Sequence, residues 1–309
     1  MRNVTVTITR FTPDAWADAR ALVDDPSLLA ELGWLRDQGE LRELLDGAPH
    51  HDPAWLAHED GRPVGWCALV VRPDPRGHWA MARLGVVESH RRRGIGTRLL
   101  QTAETELAGL AHDLRPYELG FSAWIPNPAA EAFAARHGFA RARLFWQMER
   151  RDGARSAPEW PNGVAVRVFD GSDSMVRDWN AVSNDAFAGA FHTTPSTEAD
   201  CLAITRRPEF HASGLALAYL GDRCVGFCRN GIYRGRGEVD ILGVAHDARG
   251  TGLGRALLRW GVAWLIAEGA ERVTLIVDGH NESALALYRS EGFEPVRTRT
   301  AWARPFMAP

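Results

Sequence analysis

Alternation of apolar and polar residues over Val4–Ile8 predicts an opening strand, because successive strand side chains face opposite sides. Thr12-Pro13-Asp14 has the make-up of a helix start: a capping hydroxyl, a proline at the first helical position and an acid in the first turn. Asp25-Pro26 repeats that signal ahead of Leu28, Leu29, Leu32 and Leu35, whose spacing is helical. Beyond Gly39 and Gly47, apolar runs at 55–59, 64–71 and 79–87 predict three strands joined by Gly and Pro turns. A helix to Leu110, a strand at 118–125 and a short helix capped by Asn127 and stopped at Gly138 follow. Phe139–Met148 predicts a closing strand pair or hairpin.

The period is lost over 151–163, a linker of charged residues, Gly, Ser and Trp160-Pro161-Asn162-Gly163. It then restarts with a strand at 164–169 and a helix capped by Ser172 with Met175, Trp179, Val182 and Ala186 on one face. Thr194-Pro195 predicts the next helix, through Cys201 and Ile204. Strands follow at 214–220, 224–232 and 238–245, then a helix, a strand at 273–277, a helix at 281–291 and a strand at 293–303. Both series read strand, helix, helix, three strands, helix, strand, helix, strand. The domains expected from this are 1–150 and 164–309, each long enough to bury its own core.

The strongest match between the two series is a strand, a turn rich in Arg and Gly, and a helix. Leu84, Gly85, Val86, Arg91, Gly94, Gly96, Leu99 and Leu100 recur, in order and spacing, as Leu242, Gly243, Val244, Arg249, Gly252, Gly254, Leu257 and Leu258. Asn127 and Gly138-Phe139 likewise recur as Asn281 and Gly292-Phe293. A single Arg-x-x-Gly-x-Gly is weak evidence; two copies with a second matched landmark indicate a duplicated domain. In the second copy the helix stripe expected from the spacing is Leu253, Leu257, Trp260 and Trp264. Glycines at 250, 252 and 254 would let a ligand approach the backbone. The free N–H groups and positive dipole end of a helix, with Arg249 and Arg255 beside them, suit an anion such as a pyrophosphate.

Composition narrows the classes. Hydrophobic content of 45% and charged content of 24% are those of a soluble globular protein, and a net charge of −3 argues against a broad nucleic-acid-binding face. All 36 basic residues are Arg, which excludes lysine nucleophiles and Schiff bases. Cys67, Cys201, Cys224 and Cys228 lack metal-ligand spacing and are expected as buried free thiols, and no metal site is expected. No signal pattern or long apolar run is present, so a cytoplasmic protein without membrane contact is expected.

The paired Arg-x-x-Gly-x-Gly turns at 91–96 and 249–254, with Asn127…Gly138-Phe139 and Asn281…Gly292-Phe293, resemble the GNAT superfamily of acyl-CoA N-acyltransferases. The resemblance spans nearly the whole chain. It implies an α/β (α+β) fold of two tandem domains, each a mixed, mostly antiparallel sheet flanked by helices. It also implies acetyl-CoA as co-substrate and acetyl transfer by direct attack of a primary amine of a small polar molecule. By that resemblance Leu242, Gly243, Val244, Arg249, Gly250, Thr251, Gly252, Leu253, Gly254, Arg255 and Asn281 contact acetyl-CoA in the second half, and Val86, Arg91, Gly94 and Gly96 in the first.

Direct transfer requires an amine proton acceptor, an oxyanion donor and a group that protonates the leaving thiolate. The family often places a Tyr for the thiolate on the helix after the fifth strand, and Tyr288 stands there; the alternative is a core Tyr sharing a face with Ala284 and Leu285. Glu238 and Asp240, two apart on one strand, are candidates for base and substrate contact on a single face; the alternative is a strand that starts at the surface, with Glu238 paired to Arg234 or Arg236. The shift of the Arg-x-x-Gly-x-Gly turns matches these acids with Ala80 and Ala82, and counting back from Gly-Phe matches Tyr288 with Ala134, so chemistry is expected in the second half alone. Competing functions are a non-catalytic acyl-CoA sensor and a protein or antibiotic N-acetyltransferase. A dinucleotide site is disfavoured because each turn follows a fourth strand, not a first. Either a monomer or a homodimer is compatible.

Overall fold

A computed structural model describes residues 6–23, 25, 27–28, 45, 52–72, 78–110, 117–151, 156–207, 209–233 and 235–306. The first series gives β1 (Val6–Arg10), α1 (Trp16–Val23), β2 (Ala54–Glu59), β3 (Arg62–Arg72), β4 (His78–Val86), α2 (Ile95–Leu110), β5 (Tyr117–Ile125), α3 (Pro128–Arg136) and β6 (Ala140–Arg150). The helix expected from Asp25-Pro26 lies for the most part outside the described residues. Thr12 does precede the first helical turn, with Pro13 at its start, but its side chain makes no capping bond. Asn127 caps α3 as expected, accepting from Ala130 N. Where a hairpin was expected after Phe139, the chain runs as one unbroken strand, because no turn residue interrupts 140–150.

The second series gives β7 (Val164–Val168), α4 (Asp173–Ala186), α5 (Glu198–Thr205), β8 (Leu215–Leu220), β9 (Arg223–Tyr233), β10 (Arg236–Val244), α6 (Leu253–Ala267), β11 (Val273–Asp278), α7 (Glu282–Ser290) and β12 (Glu294–Phe306). Ser172 caps α4, and Met175, Trp179, Val182 and Ala186 are buried on it as the spacing predicts. α5 begins three residues later than Thr194-Pro195 suggests. Thr197 forms a capping box with Asp200 that satisfies two donors at once, a stronger start than a proline alone. The face of α6 also differs from the expected stripe. Leu253, Leu257, Gly261 and Leu265 with Leu258 and Val262 are buried, while Trp260 and Trp264 flank them half-exposed. The shift follows from Gly261, where a Cβ would come within 2.6 Å of Asn230 Oδ1 and 2.8 Å of Cys228 Sγ, so the helix can lie close on β9 only along that line.

The chain divides into two units, and the division does not follow the repeat. The described residues up to Leu144 group with those from Thr298 on; Phe145–Arg297 form the second unit. The limits expected at 150 and 164 divide the sequence, whereas the strands divide by hydrogen bonding. In the first unit β1 to β4 pair antiparallel in chain order, β5 runs parallel to β4, and the last strand comes from β12, with Thr298↔Ile125 through Phe306↔Tyr117. In the second, β7 to β10 pair antiparallel, β11 runs parallel to β10, and β6 supplies the last strand, with Val273↔Arg150 through Asp278↔Phe145. Each sheet is therefore mixed and mostly antiparallel. Trp66, Leu69, Leu99, Leu107 and Phe121 centre the first core; Trp179, Leu217, Phe227, Leu257, Leu265 and Phe293 centre the second. Among the described residues no helix is long and apolar enough to cross a membrane, and no cluster of metal-ligating side chains is present.

Candidate active site

The second unit opens between β10 and β11. The parallel ladder runs only from Gly237↔Val273 to Val239↔Leu275. Beyond that point β10 continues beside β9 as far as Val244↔Gly226, while β11 continues beside β6. The backbone groups that β10 presents toward β11 after Val239 thus face a slot between the strands, where an extended ligand bearing amides could take them up. The parting coincides with a bulge. Val239 stands opposite Asn230 and Ile241 opposite Arg229, which leaves Asp240 as the extra residue. Leu242, Gly243 and Val244, expected against the pantetheine arm, lie on the parted section. Gly243 has a structural cause of its own: a Cβ there would come within 2.5 Å of Phe227 and 3.0 Å of the Ala186 Cβ.

The slot leads to the turn before α6. Gly250 (φ +77°) and Gly252 (φ +91°) are left-handed, with open space where a Cβ would be, so backbone conformation requires them. Gly254 is in contact distance of Leu287 and Val244, so its role is packing. Ala256 is the first residue to return a bond into the helix, to Gly252 O at 3.1 Å, and the preceding amides are open to an anion at the dipole's positive end. The arginines are engaged within the protein. Arg249 donates through Nε to Val244 O (3.3 Å) and through Nη2 to Ala186 O (2.7 Å), bracing the end of β10 against the last carbonyl of α4. Arg255 donates to Ser290 Oγ (3.2 Å) and faces Glu291 (3.4 Å), a buried carboxylate that also takes Arg259 in bidentate fashion (3.0 and 3.1 Å). Thr251 Oγ1 donates to Ala248 O. Asn281 caps α7, its Oδ1 accepting from Ala284 N (3.1 Å), as Asn127 does in the first half. The turn expected to hold the cofactor is therefore lined chiefly by backbone, with the guanidinium groups as its frame.

Tyr288 and the two acids approach the slot from opposite faces. Tyr288 is 9% exposed on α7, packed edge-on to Phe293, and burial raises its phenol above the ordinary value with a further contribution from the Cys228 thiol. Cys228 stands beside Leu242 on β9, on the side covered by α6, which places Tyr288 along the parted section. Glu238, 7% exposed, stands opposite Gly231 on the other side. Asp240 reaches Tyr233 Oη, which donates to both its oxygens (3.0 and 2.9 Å), and Arg229 Nε (3.6 Å). Arg229 and Tyr233 share Gly231's face by the two-residue alternation, so both acids lie on one face, Asp240 by way of the bulge.

Four residues carry site roles that the sequence analysis did not assign: Arg229, Tyr233, Asp185 and Ala186. Asp185 accepts from His246 N (3.1 Å) and meets the His246 ring (3.3 Å), so with Arg249 on the Ala186 carbonyl it ties α4 to the cofactor turn. A backbone carbonyl acceptor such as that of Ala186 leaves no sequence signal at all.

The first unit carries the same frame without counterparts of Tyr288, Glu238 and Asp240. Arg91 Nε donates to Val86 O (2.9 Å), and Arg92 (φ +62°) and Gly94 (φ +82°) reproduce the left-handed pair of Gly250 and Gly252. Its ladder also parts, after Met81↔Gly120, but β4 has no bulge. Aligned on Leu84↔Cys67 and Leu242↔Cys228, the correspondence inferred from the sequence moves by one residue: Glu238 matches Met81 rather than Ala80, and Asp240 matches nothing. Ala134 does occupy the place of Tyr288, since Phe139 N and Phe293 N donate to their respective carbonyls.

Two domains with a parting parallel pair and an anion-accepting turn define a class, and the chain belongs to the Acetyltransferase (GNAT) family, which matches residues 16–139 and 177–293. Such acetyltransferases use acetyl-CoA, and this protein is an enzyme of the N-acetyltransferase type. It is 37% identical over 262 residues to a mycothiol acetyltransferase of Kineococcus radiotolerans, covering 84% of this chain and 82% of that one. A mycothiol acetyltransferase of Geodermatophilus obscurus is 36% identical over 310 residues, with 96% of each chain covered. A tandem GNAT protein from the clavulanic acid biosynthesis pathway shares the fold at a TM-score of 0.75 and 18% identity, over 98% of this chain and 99% of that one.

Proposed function

We propose that the second unit transfers acetyl from acetyl-CoA to the cysteinyl amine of a cysteine–glucosamine–inositol conjugate, the reaction of mycothiol synthases. The observation that carries this reading is the parting of β10 from β11 after Val239, with Tyr288 on one face and Glu238 on the other. The pyrophosphate takes the amides of 250–255 and the pantetheine arm runs along Leu242–Val244. The thioester carbon then lies between the two side chains. Glu238 accepts the amine proton as nitrogen attacks, a β10 amide holds the oxyanion, and Tyr288 protonates the departing sulfur. Asp240, neutralised by Arg229 and held by Tyr233, shapes the acceptor side rather than taking a proton. The similarity to mycothiol synthases in Asn184–Gly189, Gly237–Val239 and Val244–Leu258 supports the acceptor. The Arg91–Gly96 turn of the first unit is an acetyl-CoA cradle without reactive side chains.

Thiol release from acetyl-CoA, followed over a panel of amines that includes this conjugate, tests the reading. Tyr288→Phe and Glu238→Gln are each expected to lower turnover by about a hundredfold or more, the range for losing a positioned acid or base, with acetyl-CoA binding kept. Full activity in Tyr288→Phe would remove it from the mechanism; activity confined to a different amine would replace the acceptor.

A further inference from the structure

The acid-bearing face of the slot is spanned by the segment between α4 and α5. Phe187 starts it, within 6.5 Å of the Phe227 ring and against the place a Gly243 Cβ would fill. The chain turns at Gly189 (φ +81°) and again at His192, left-handed at φ +49° despite its side chain. It ends in a clasp: Ser196 N donates to Asn184 Oδ1 (2.8 Å), Asn184 Nδ2 to Ser196 O (2.9 Å) and Ser196 Oγ to Asn180 Oδ1 (2.9 Å). Between these anchors Phe191, half-buried, stacks on His192 at 3.8 Å and 21° and reaches Phe145 at 6.4 Å. Phe145 stands opposite Asp278 at the end of β11. Its neighbour Trp146 carries Arg289 of α7 over its ring, so Phe145 itself lies on the other face, with Glu238 and Asp240. The segment thus crosses from α4 to the far side of the parting, over the face that receives the amine.

We propose that Phe191, backed by His192 and Phe145, is a specificity-determining residue that packs against the part of the acceptor beyond its amine, a saturated ring presenting C–H bonds to the aromatic face, as a sugar or cyclitol does. The inference rests on the acceptor class proposed above. An acceptor whose charge is met by Glu238 still needs a surface for its uncharged ring, and an aromatic face supplies apolar contact while leaving ring hydroxyls free to stay hydrated. Asn180, Asn184 and Ser196 are positioning residues: they hold the segment by both backbone groups of Ser196, so the aromatic step keeps its place over the slot. The structure gives the Asn184–Gly189 run this joint role, since Asn184 clasps Ser196, Asp185 holds His246, Ala186 receives Arg249 and Phe187 packs on Gly243.

The test compares two acceptors with the same cysteinyl amine, the glucosamine–inositol conjugate and cysteine methyl ester, in the full-length wild type, Phe191→Ala, Phe191→Leu, Phe191→Tyr and Ser196→Ala. Phe191→Ala and Phe191→Leu are expected to raise KM for the conjugate roughly tenfold, the upper range for one aromatic contact, with kcat and the KM for acetyl-CoA held. Cysteine methyl ester should be acetylated equally well by all, and Phe191→Tyr should restore the conjugate KM. Ser196→Ala should raise the same KM to a smaller extent. An unchanged conjugate KM in both Phe191→Ala and Phe191→Leu overturns the proposal and leaves the acceptor reading standing, as does an equal rise for both acceptors. Failure of the wild type to acetylate the conjugate overturns the acceptor reading and this inference together.

Discussion

In the proposed mechanism Tyr288 serves as the acid, and burial acts on its phenol. The shift is upward, so the phenol stays protonated throughout the neutral and mildly alkaline range. Two outcomes follow. The alkaline limb of the kcat profile should stay flat to about pH 10, the ordinary phenol value, with no step that Tyr288→Phe removes below it. Stability should change in the same direction: a proton held more tightly in the folded chain contributes fully below about pH 10 and is lost as pH rises beyond it. Tyr219, raised by burial and by its bond to Asp178, adds to that loss. Melting temperatures from pH 8 to 11 should therefore fall above pH 10, and less steeply in Tyr288→Phe. Burial equally silences the thiols: Cys201 is pushed up to about 11, and Cys224 and Cys228 to about 12. Iodoacetamide at pH 8 should label the native protein slowly and all four cysteines after unfolding, as counted by mass; rapid native labelling of Cys228 would contradict its placement under α6.

Two glycines of β10 and the following turn separate packing from conformation at the level of the element. At Gly243 a methyl group would strike Phe227 and Ala186. Gly243→Ala should cost about 1–3 kcal/mol by overpacking and displace the end of α4 from the slot, raising the KM for both substrates. At Gly252 the space is open and only the left-handed φ is at stake. Gly252→Ala should cost about 1–2 kcal/mol, with the acetyl-CoA KM rising more than the acceptor KM, because the anion turn alone is distorted. Steady-state kinetics and thermal melts distinguish the two patterns. The elements themselves were legible where a local signal dominates, as at Ser172, Asn127 and Asn281. The start of α5 was obscured by Thr194-Pro195, because Ser196 is held by α4 from a distance and the helix begins only at the capping box. The bulge at Asp240 has no local signature, so the matched repeat slipped by one residue before it.

At the scale of the molecule, each unit takes its last strand from the other half of the sequence. Removing Thr298–Pro309 takes from the first unit a strand paired along all of β5. The loss should appear as an earlier melting transition of the first unit, while the acetyl transfer proposed for the second persists below that temperature. A single unchanged transition in calorimetry would count against the grouping. The repeat in the sequence could not disclose this, since a strand's alternation names the face it buries but not its neighbour across the ladder.

The sequence by itself determined the duplicated strand–turn–helix and, among the described residues, most of the order of elements, because glycine, capping residues and apolar period act over a few residues of chain. Only the tertiary structure decided which strand closes each sheet, where β10 leaves β11, that Asp240 is held by Arg229 and Tyr233, and that Arg249 braces a carbonyl. Those features depend on hydrogen-bond partners and close approaches between segments far apart in sequence, and a backbone carbonyl or an inter-strand vacancy is written in no side chain.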